Sequence, residues 1–253
     1  MVFTLRAYEY WLTSYRRVWR GSVGTTILNP ILYLSALGVG LGTIVNRGRG
    51  LGVPYLDYVS PGILASTAMM VASFESAYAV MAAIRWTRQF HAMLATPLGI
   101  RDVVLGHQLY AATRVAIASG IYLVVIAAFG AVHSWTALFA FPAAVLLGLA
   151  FSAPITATAA WMETDQGFNA LFRFGITPMF LFSGTFFPVS RLPQGLRELA
   201  WATPTWHGVD LIRSLTLGDA AVWASLGHAA YLAAWAAAGL WLAQRTFTRR
   251  LVQ

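Results

Sequence analysis

The chain lacks cysteine and lysine altogether, and it carries little charge of either sign for its 253 residues. Without cysteine there can be no disulfide, no thiolate nucleophile and no cysteine-ligated metal, and the redox compartment leaves no mark on the sequence. All seventeen basic residues are arginine. That excludes the lysine with which a P-loop holds nucleotide phosphates and the lysine of a Schiff base. The acidic residues Glu163 and Asp165 stand in a short polar connection without a histidine or a third carboxylate beside them, and read as a solvated turn. The five histidines, His91, His107, His133, His207 and His228, are far apart and lack the spacing of metal ligands.

What the chain does contain is apolar surface: 58% hydrophobic residues, 10% charged residues and a mean hydropathy of +0.64, against roughly 25% charged residues in a soluble domain. This is the composition of an all-α integral membrane protein. The length allows about six spans of ~20 residues, and no shift in composition divides residues 1–253, so one domain is expected. The net charge of +8 comes from arginines scattered among apolar runs rather than gathered on one face, which points away from nucleic acid. The first apolar run lacks a small-residue cleavage site and reads as a retained helix.

Residues 2–20 have the pattern of an amphipathic helix. Leu5, Tyr8, Trp11, Leu12, Tyr15, Val18 and Trp19 share one side, and Arg6, Glu9, Thr13, Arg16, Arg17 and Arg20 the other. Such a helix suits the headgroup layer, with aromatics in lipid and arginines toward phosphates, or else the surface of a protein partner. Spans are expected at about 24–45, 58–84, 103–129, 135–161, 168–187 and 220–242. Gly38, Gly40 and Gly42 offer close packing in the first span, and Pro154 should kink the fourth. Between the fifth and sixth, residues 188–219 are too polar to cross and too apolar for a free loop. Pro193 can open a short helix to Ala202 and Pro204 a second to Leu217, ended by Gly218, with Asp219 capping the last span.

Sidedness follows from the arginines. Arg6, Arg16, Arg17, Arg20, Arg85, Arg88, Arg101, Arg245, Arg249 and Arg250 fall on one side, and Arg47, Arg49, Arg191, Arg197 and Arg213 on the other. The richer side holds both termini and is expected in the cytosol of a plasma (inner) membrane. Trp86, Trp161 and Trp241 at inner ends, with Trp135 and Trp223 at outer starts, fit an aromatic belt. There is no evident internal repeat, which weighs against the inverted-repeat transporters.

Two ionisable residues fall deep within spans. Glu75 and Arg114 lie about ten residues from the inner ends of consecutive antiparallel helices, so at ~1.5 Å per residue they reach similar depth and can pair. Such a pair either fixes helix register or serves transport. Ser183-Gly184 invites comparison with an intramembrane serine protease, but Leu181 stands where that motif needs glycine. Residues 85–98 form a charged, amphipathic island on the cytosolic side. Phe90, Met93 and Leu94 share one face of a short helix that Pro97 ends, while Arg85, Arg88 and His91 supply charge. A membrane chain with no nucleotide site of its own can be driven through such a helix by a partner that receives it in a groove.

The wording of Ala92-Met93-Leu94-Ala95-Thr96-Pro97-Leu98, then Phe180-Leu181-Phe182-Ser183-Gly184-Thr185-Phe186-Phe187-Pro188 with Leu192-Pro193, then Pro204, Asp210, Arg213 and Gly218, resembles the type-2 ABC exporter permeases, in their NodJ-like branch. The resemblance covers essentially the whole chain. It implies a permease that pairs with a second copy or a related chain and binds two copies of a cytosolic ABC ATPase. Residues 85–98 would be its coupling helix, 2–20 its interfacial helix and 188–219 a pair of re-entrant outer helices. ATP and Mg would act through the partner, with no cofactor on this chain. Phe180, Phe182, Phe186, Phe187 and Pro188 become candidates for the pathway or outer gate. The substrates implied are amphiphiles: lipo-oligosaccharides, polysaccharide precursors, lipids or drugs. His107 departs from the family, whose members often carry an acidic residue after the position of Gly106. Two other readings compete: an intramembrane enzyme acting on lipid or peptide, and a channel or scaffold.

Overall fold

A computed structural model describes residues 2–17, 19–47 and 51–251. Val18 of the amphipathic pattern and Arg49 of the arginine count lie outside the described residues, as do Met1, Gly48, Gly50, Val252 and Gln253. The described residues form helices and the connections between them, with no strand. Helix α1 (Val2–Tyr15) ends earlier than the pattern suggests, and Trp19 already belongs to the next helix, α2 (Trp19–Tyr33). Helix α2 runs past Pro30 into a π-helical stretch, Leu34–Leu41, and then α3 (Gly42–Val45). Proline removes one backbone donor from the ladder, and the π stretch begins four residues after it.

Four further long helices follow the expected spans: α4 (Tyr55–Arg85), α6 (Ile100–Ala128), α7 (Ala140–Trp161, preceded by a 3-10 turn Trp135–Phe139) and α12 (Val222–Leu251). With Trp19–Val45 they make, among the described residues, five helices long and apolar enough to cross a membrane. The expected fifth span differs. Helix α8 (Gln166–Leu171), a π turn Phe172–Ile176 and α9 (Thr177–Phe182) follow one another, six, five and six residues long. Helix ends at Phe182, not Phe187, because Gly184 takes φ +87° and Pro188 opens a 3-10 turn. At ~1.5 Å per residue this run falls short of a ~30 Å hydrocarbon layer.

The expected helix over 193–202 narrows to α10 (Leu196–Trp201), whereas α11 (Pro204–Leu217) has the expected bounds. Thr203 caps α11 by accepting from Trp206 N–H, and Gly218, left-handed at φ 89°, ends it. Asp219 does not cap the last span, which starts three residues later and runs nine beyond its expected end. The remaining short helix, α5 (Gln89–Leu94), joins α4 to α6.

Helix α7 is the central post, packed on α4 along one side and α12 along the other. Small residues bring α6, α11 and α12 close to α7, as they do where no hydrophobic force draws helices together in lipid. Gly148 meets Val115, Gly208 meets Leu147, and Gly239 faces the ring of Pro154, through which α7 continues to Trp161. Between α4, α6 and α7 runs a buried polar chain: Gln108 Nε2 donates to Thr156 Oγ1 at 2.9 Å, Ser152 Oγ donates to Gln108 Oε1 at 2.8 Å, and Ser76 Oγ shares a bond of 2.6 Å with Ser152. Three serines of α4 bond to the carbonyl one turn back, Ser60 to Leu56, Ser66 to Gly62 and Ser73 to Met69, the last at 2.7 Å.

Helix α1 lies against α6. Its Trp11 and Tyr15 are buried in the protein rather than in lipid, and Gly106 leaves room for Ala7, where a Cβ would collide. Thr4 Oγ1 donates to Asp102 Oδ1 at 2.6 Å. Thus α1, α5, the start of α6 and the end of α12 gather at the end of the bundle that holds both termini.

Candidate functional site

At that end, α5 shows two faces. Phe90 is fully buried and Met93 nearly so, whereas Arg88, His91, Ala92, Ala95, Thr96 and Pro97 are exposed and Leu94 is half-buried. The expected apolar docking face of Phe90 and Met93 is therefore turned inward. Trp11, His107 and Phe247 surround Phe90, with ring centroids 5.7, 6.2 and 5.2 Å away. His107 is buried against Trp11, Phe90 and Tyr110, and neither ring nitrogen has a hydrogen-bond partner among the described residues. His107 thus serves here as a packing ring. Arg88 precedes α5 with φ 50°, the one non-glycine residue at positive φ among the described residues.

The buried pair is present. Arg114 Nε donates to Glu75 Oε1 at 2.7 Å, and the guanidinium lies over the ring of Tyr15, 4.2 Å from its centroid. Both side chains are mostly buried, at 16% and 19% exposure, and both line a cavity of about 470 Å³ with Asn29, Tyr33, Thr67 and Phe180. That cavity mixes an ion pair and amide and hydroxyl groups with the aromatic wall of Phe74 and Phe180. Of the expected gate residues Phe180 alone lines it. Phe186 packs edge-on against Phe180 at 5.1 Å, Phe182 is exposed, Phe187 is half-buried, and Pro188 starts the 3-10 turn.

The turn after α9 is fastened from three sides. Arg213 Nη2 donates to Gly184 O at 2.7 Å and its Nε to Tyr58 O at 3.2 Å, with the guanidinium stacked 3.9 Å over the Tyr58 ring. Tyr58 OH donates to the same Gly184 carbonyl at 3.0 Å, and Ser66 shares a bond of 3.1 Å with Thr185. Ser183 is occupied by Thr185 Oγ1 at 3.0 Å and has no histidine partner among the described residues, so the protease comparison finds no base.

Two histidines that look unrelated along the chain meet in the fold. His207 Nδ1 and His228 Nδ1 lie 2.8 Å apart, and His228 Nε2 is 3.2 Å from Asp210 Oδ2. If His228 Nε2–H donates to the carboxylate, neutral His228 accepts at Nδ1 from His207. Asp210, on a helix outside the long apolar ones, has its carboxyl held below the ordinary range chiefly by the His228 hydrogen bond. Burial, followed by the neighbouring His228, lowers His207. A usable signal exists: 207 and 228 are almost equidistant from the Gly218 turn, and an antiparallel helical hairpin brings such positions together.

Residues 8–217 match the sequence profile of the ABC-2 type transporter family. The chain belongs to that family. Among curated proteins, this ABC-2 transporter chain is 34% identical to Nodulation protein J of Rhizobium meliloti (strain 1021) over 249 residues, 96% of this chain and 94% of the relative. It is 36% identical to Nodulation protein J of Rhizobium leguminosarum bv. trifolii, covering 84% and 83% of the two chains. The protein of that name from Bradyrhizobium diazoefficiens is 33% identical, covering 95% and 90%. Family membership makes the chain a multi-pass membrane transport permease rather than a catalytic subunit, and it implies an ABC transporter with an ATPase partner.

Proposed function

We propose that this permease exports an amphiphilic molecule, a glycolipid, lipo-oligosaccharide, lipid or drug, out of the bacterial cytoplasm, driven by two copies of a cytosolic ATPase. The observation that carries this reading is the two-faced helix α5. Its exposed face of Ala92, Ala95 and Thr96 is free for a partner, while its buried face holds Phe90 against α1, α6 and α12. A push on the outer face therefore reaches three elements at once. In this reading α5 is the coupling helix, α1 lies at the membrane interface, and α10 with α11 re-enters the outer leaflet beside the gate of Phe180, Phe182, Phe186, Phe187 and Pro188. Both termini are cytosolic, on the arginine-rich side. ATP and Mg bind only the partner.

The cavity of Glu75 and Arg114 supports an amphiphile. Its charged and hydroxyl groups suit a polar head, and its aromatic wall and position among spans suit an apolar tail. A second permease copy or a related chain would complete the pathway along the exposed apolar faces of α2 and of the π turn and α9, where Ile27, Leu28, Phe174 and Leu181 are uncovered.

The test is affinity purification in mild detergent, with identification of the chains and lipids that come with the permease. A co-purifying ATPase whose Walker lysine is needed for efflux is the expected result. Efflux unchanged when that lysine is replaced would overturn the proposal. An intramembrane enzyme would instead be active as the purified chain alone, without nucleotide.

A further inference from the structure

The terminal end of the bundle carries more positive charge than the docking of α5 explains. Arg85 ends α4, Arg88 precedes α5, His91 stands on its outer face, and Arg250 lies in the last turn of α12. Together with Ile84 these four residues line a hollow of about 400 Å³. They come from three elements, so the hollow exists only in the folded chain.

One carboxylate faces this group. Glu163 Oε1 lies 3.5 Å from Arg85 Nη2 and 3.6 Å from Arg250 Nη2. Both distances exceed the 2.7–2.9 Å of a charge-assisted hydrogen bond, and the Glu163 side chain is 74% exposed. Arg85 Nη2 is shielded from solvent yet makes no hydrogen bond among the described residues. Two guanidinium groups thus share one loosely held acid, and Arg88 lines the same hollow. The backbone supports the same conclusion. Arg88 is held in the left-handed region, where only glycine is at ease, and such outliers persist where the surroundings determine them and cluster at ligand clamps.

Depth identifies the ligand. Ile84 is the last apolar residue of α4, and Trp86 just beyond that helix is 69% exposed, in the manner of a headgroup anchor. On α12 the guanidinium of Arg245 stacks over Trp241 at 3.7 Å, one turn before Arg249 and Arg250. The hollow therefore opens where apolar helices give way to polar surface. Basic pockets between spans at that level recognise anionic lipid headgroups, whose phosphodiester accepts from several guanidinium donors at once.

We propose that Arg85, Arg88, His91 and Arg250 form a site for the phosphodiester headgroup of an anionic phospholipid in the leaflet at the terminal end of the bundle. A bound headgroup would bridge α4, α5 and the end of α12, and so hold the coupling helix to the last span. The leaflet named here rests on the orientation proposed above; the site itself does not.

The experiment is native mass spectrometry and thermal unfolding of the purified full chain in detergent, with added phosphatidylglycerol, phosphatidylcholine or inorganic phosphate. Phosphatidylglycerol should remain bound and raise the unfolding temperature, while phosphatidylcholine and phosphate should not. In an Arg85→Gln, Arg250→Gln double variant its retention should fall roughly ten- to thirtyfold, the order expected for two arginines near a surface. Arg88→Gly, which relieves the backbone and keeps the fold, should also weaken retention. Equal protection by inorganic phosphate would replace the lipid with a soluble anion and overturn the proposal. So would undiminished phosphatidylglycerol in the double variant. A double variant that keeps the lipid but loses a co-purified ATPase would assign the cluster to an acidic segment of that partner instead. All lipid arms are read on the isolated chain, so a failure here is separate from a failure of the export reading.

Discussion

Phe90 and Phe247 meet edge to face, with ring centroids 5.2 Å apart and planes at 76°, so the short helix between the second and third long spans is fastened to the end of the last. Both rings are fully buried. This contact divides the two faces of α5 into separate experiments. Phe90→Asp should destabilise the fold by at least the ~3–5 kcal/mol that removal of a buried phenylalanine typically costs. It would therefore show itself as loss of detergent-stable protein rather than as a clean uncoupling. Ala92→Glu, on the exposed face, should leave unfolding unchanged and reduce nucleotide-driven export. Size-exclusion profiles of detergent-solubilised variants, measured beside export, separate the two. A stable, fully active Ala92→Glu chain would show that the partner lies elsewhere.

The Glu75–Arg114 pair offers a second test. Its bond of 2.7 Å lies at modest exposure, and removing one partner leaves the other charge without it. Breaking a buried pair costs about 3–5 kcal/mol in soluble proteins, and less is expected here because Arg114 also stacks on Tyr15. Glu75→Gln and Arg114→Gln should each lower the unfolding temperature, and the charge-swapped double variant should recover part of the loss. If both single variants keep full stability but lose export, the pair serves substrate and not assembly.

Much of this is legible in the sequence, and what is not has physical causes. Long apolar runs and glycine and proline punctuation set three spans and α11 to within a few residues, because helix in lipid follows from backbone satisfaction alone. Equal depth on antiparallel helices brings Glu75 to Arg114. The direction in which α5 turns its apolar face is not legible, because an i, i+3, i+4 pattern says that a face is covered, not by what. Here Trp11 and Phe247, remote in sequence, cover it. Likewise Trp11 and Tyr15 read as lipid-facing but pack on α6. The Gln108–Ser152–Ser76 chain joins three spans, and no single segment announces it.

Acid should loosen the hairpin of α11 and α12. Asp210 has its carboxyl lowered chiefly by the bond from His228, so its stabilising contribution is complete above the ordinary carboxylate pKa of ~3.9 and is lost as pH falls through the lower folded value. Unfolding temperature measured in detergent should thus drop below about pH 4 more steeply in the natural chain than in Asp210→Asn. Asp210→Asn should already be the less stable at neutral pH. Parallel curves for the two proteins would mean that the Asp210–His228 contact carries no weight.

The absence of cysteine makes sidedness directly measurable. Ala92 and Gln194 are both exposed, on α5 and in the segment before α10. In an otherwise cysteine-free chain, Gln194→Cys should react with a membrane-impermeant maleimide in intact cells, and Ala92→Cys only after permeabilisation. The reverse pattern would invert the orientation drawn from the arginines and remove α5 from any cytosolic partner.

Gly62 is the sharpest test of the fastening around Gly184. A Cβ built there would sit 2.8 Å from Thr185 Cα and 2.9 Å from its carbonyl oxygen, and backbone cannot swing aside as a side-chain end can. It would also come within 3.2 Å of Arg213 Nη2, the donor that holds Gly184 O. Gly62→Ala should therefore push the 183–188 turn off α4 and weaken both the Arg213 and Tyr58 bonds to Gly184. Overpacking of this kind costs about 1–3 kcal/mol. Because the turn follows directly from Phe180 and α9, the displacement should also open the wall of the Glu75–Arg114 cavity. Paired cysteines replacing Ser66 and Thr185, whose hydroxyls lie 3.1 Å apart, report it: crosslinking should be efficient while Gly62 is kept and poor once Gly62→Ala is added. Equal crosslinking in both backgrounds would mean that α4 and the turn can separate enough to accept a methyl group, and that the close approach is not required for the fastening.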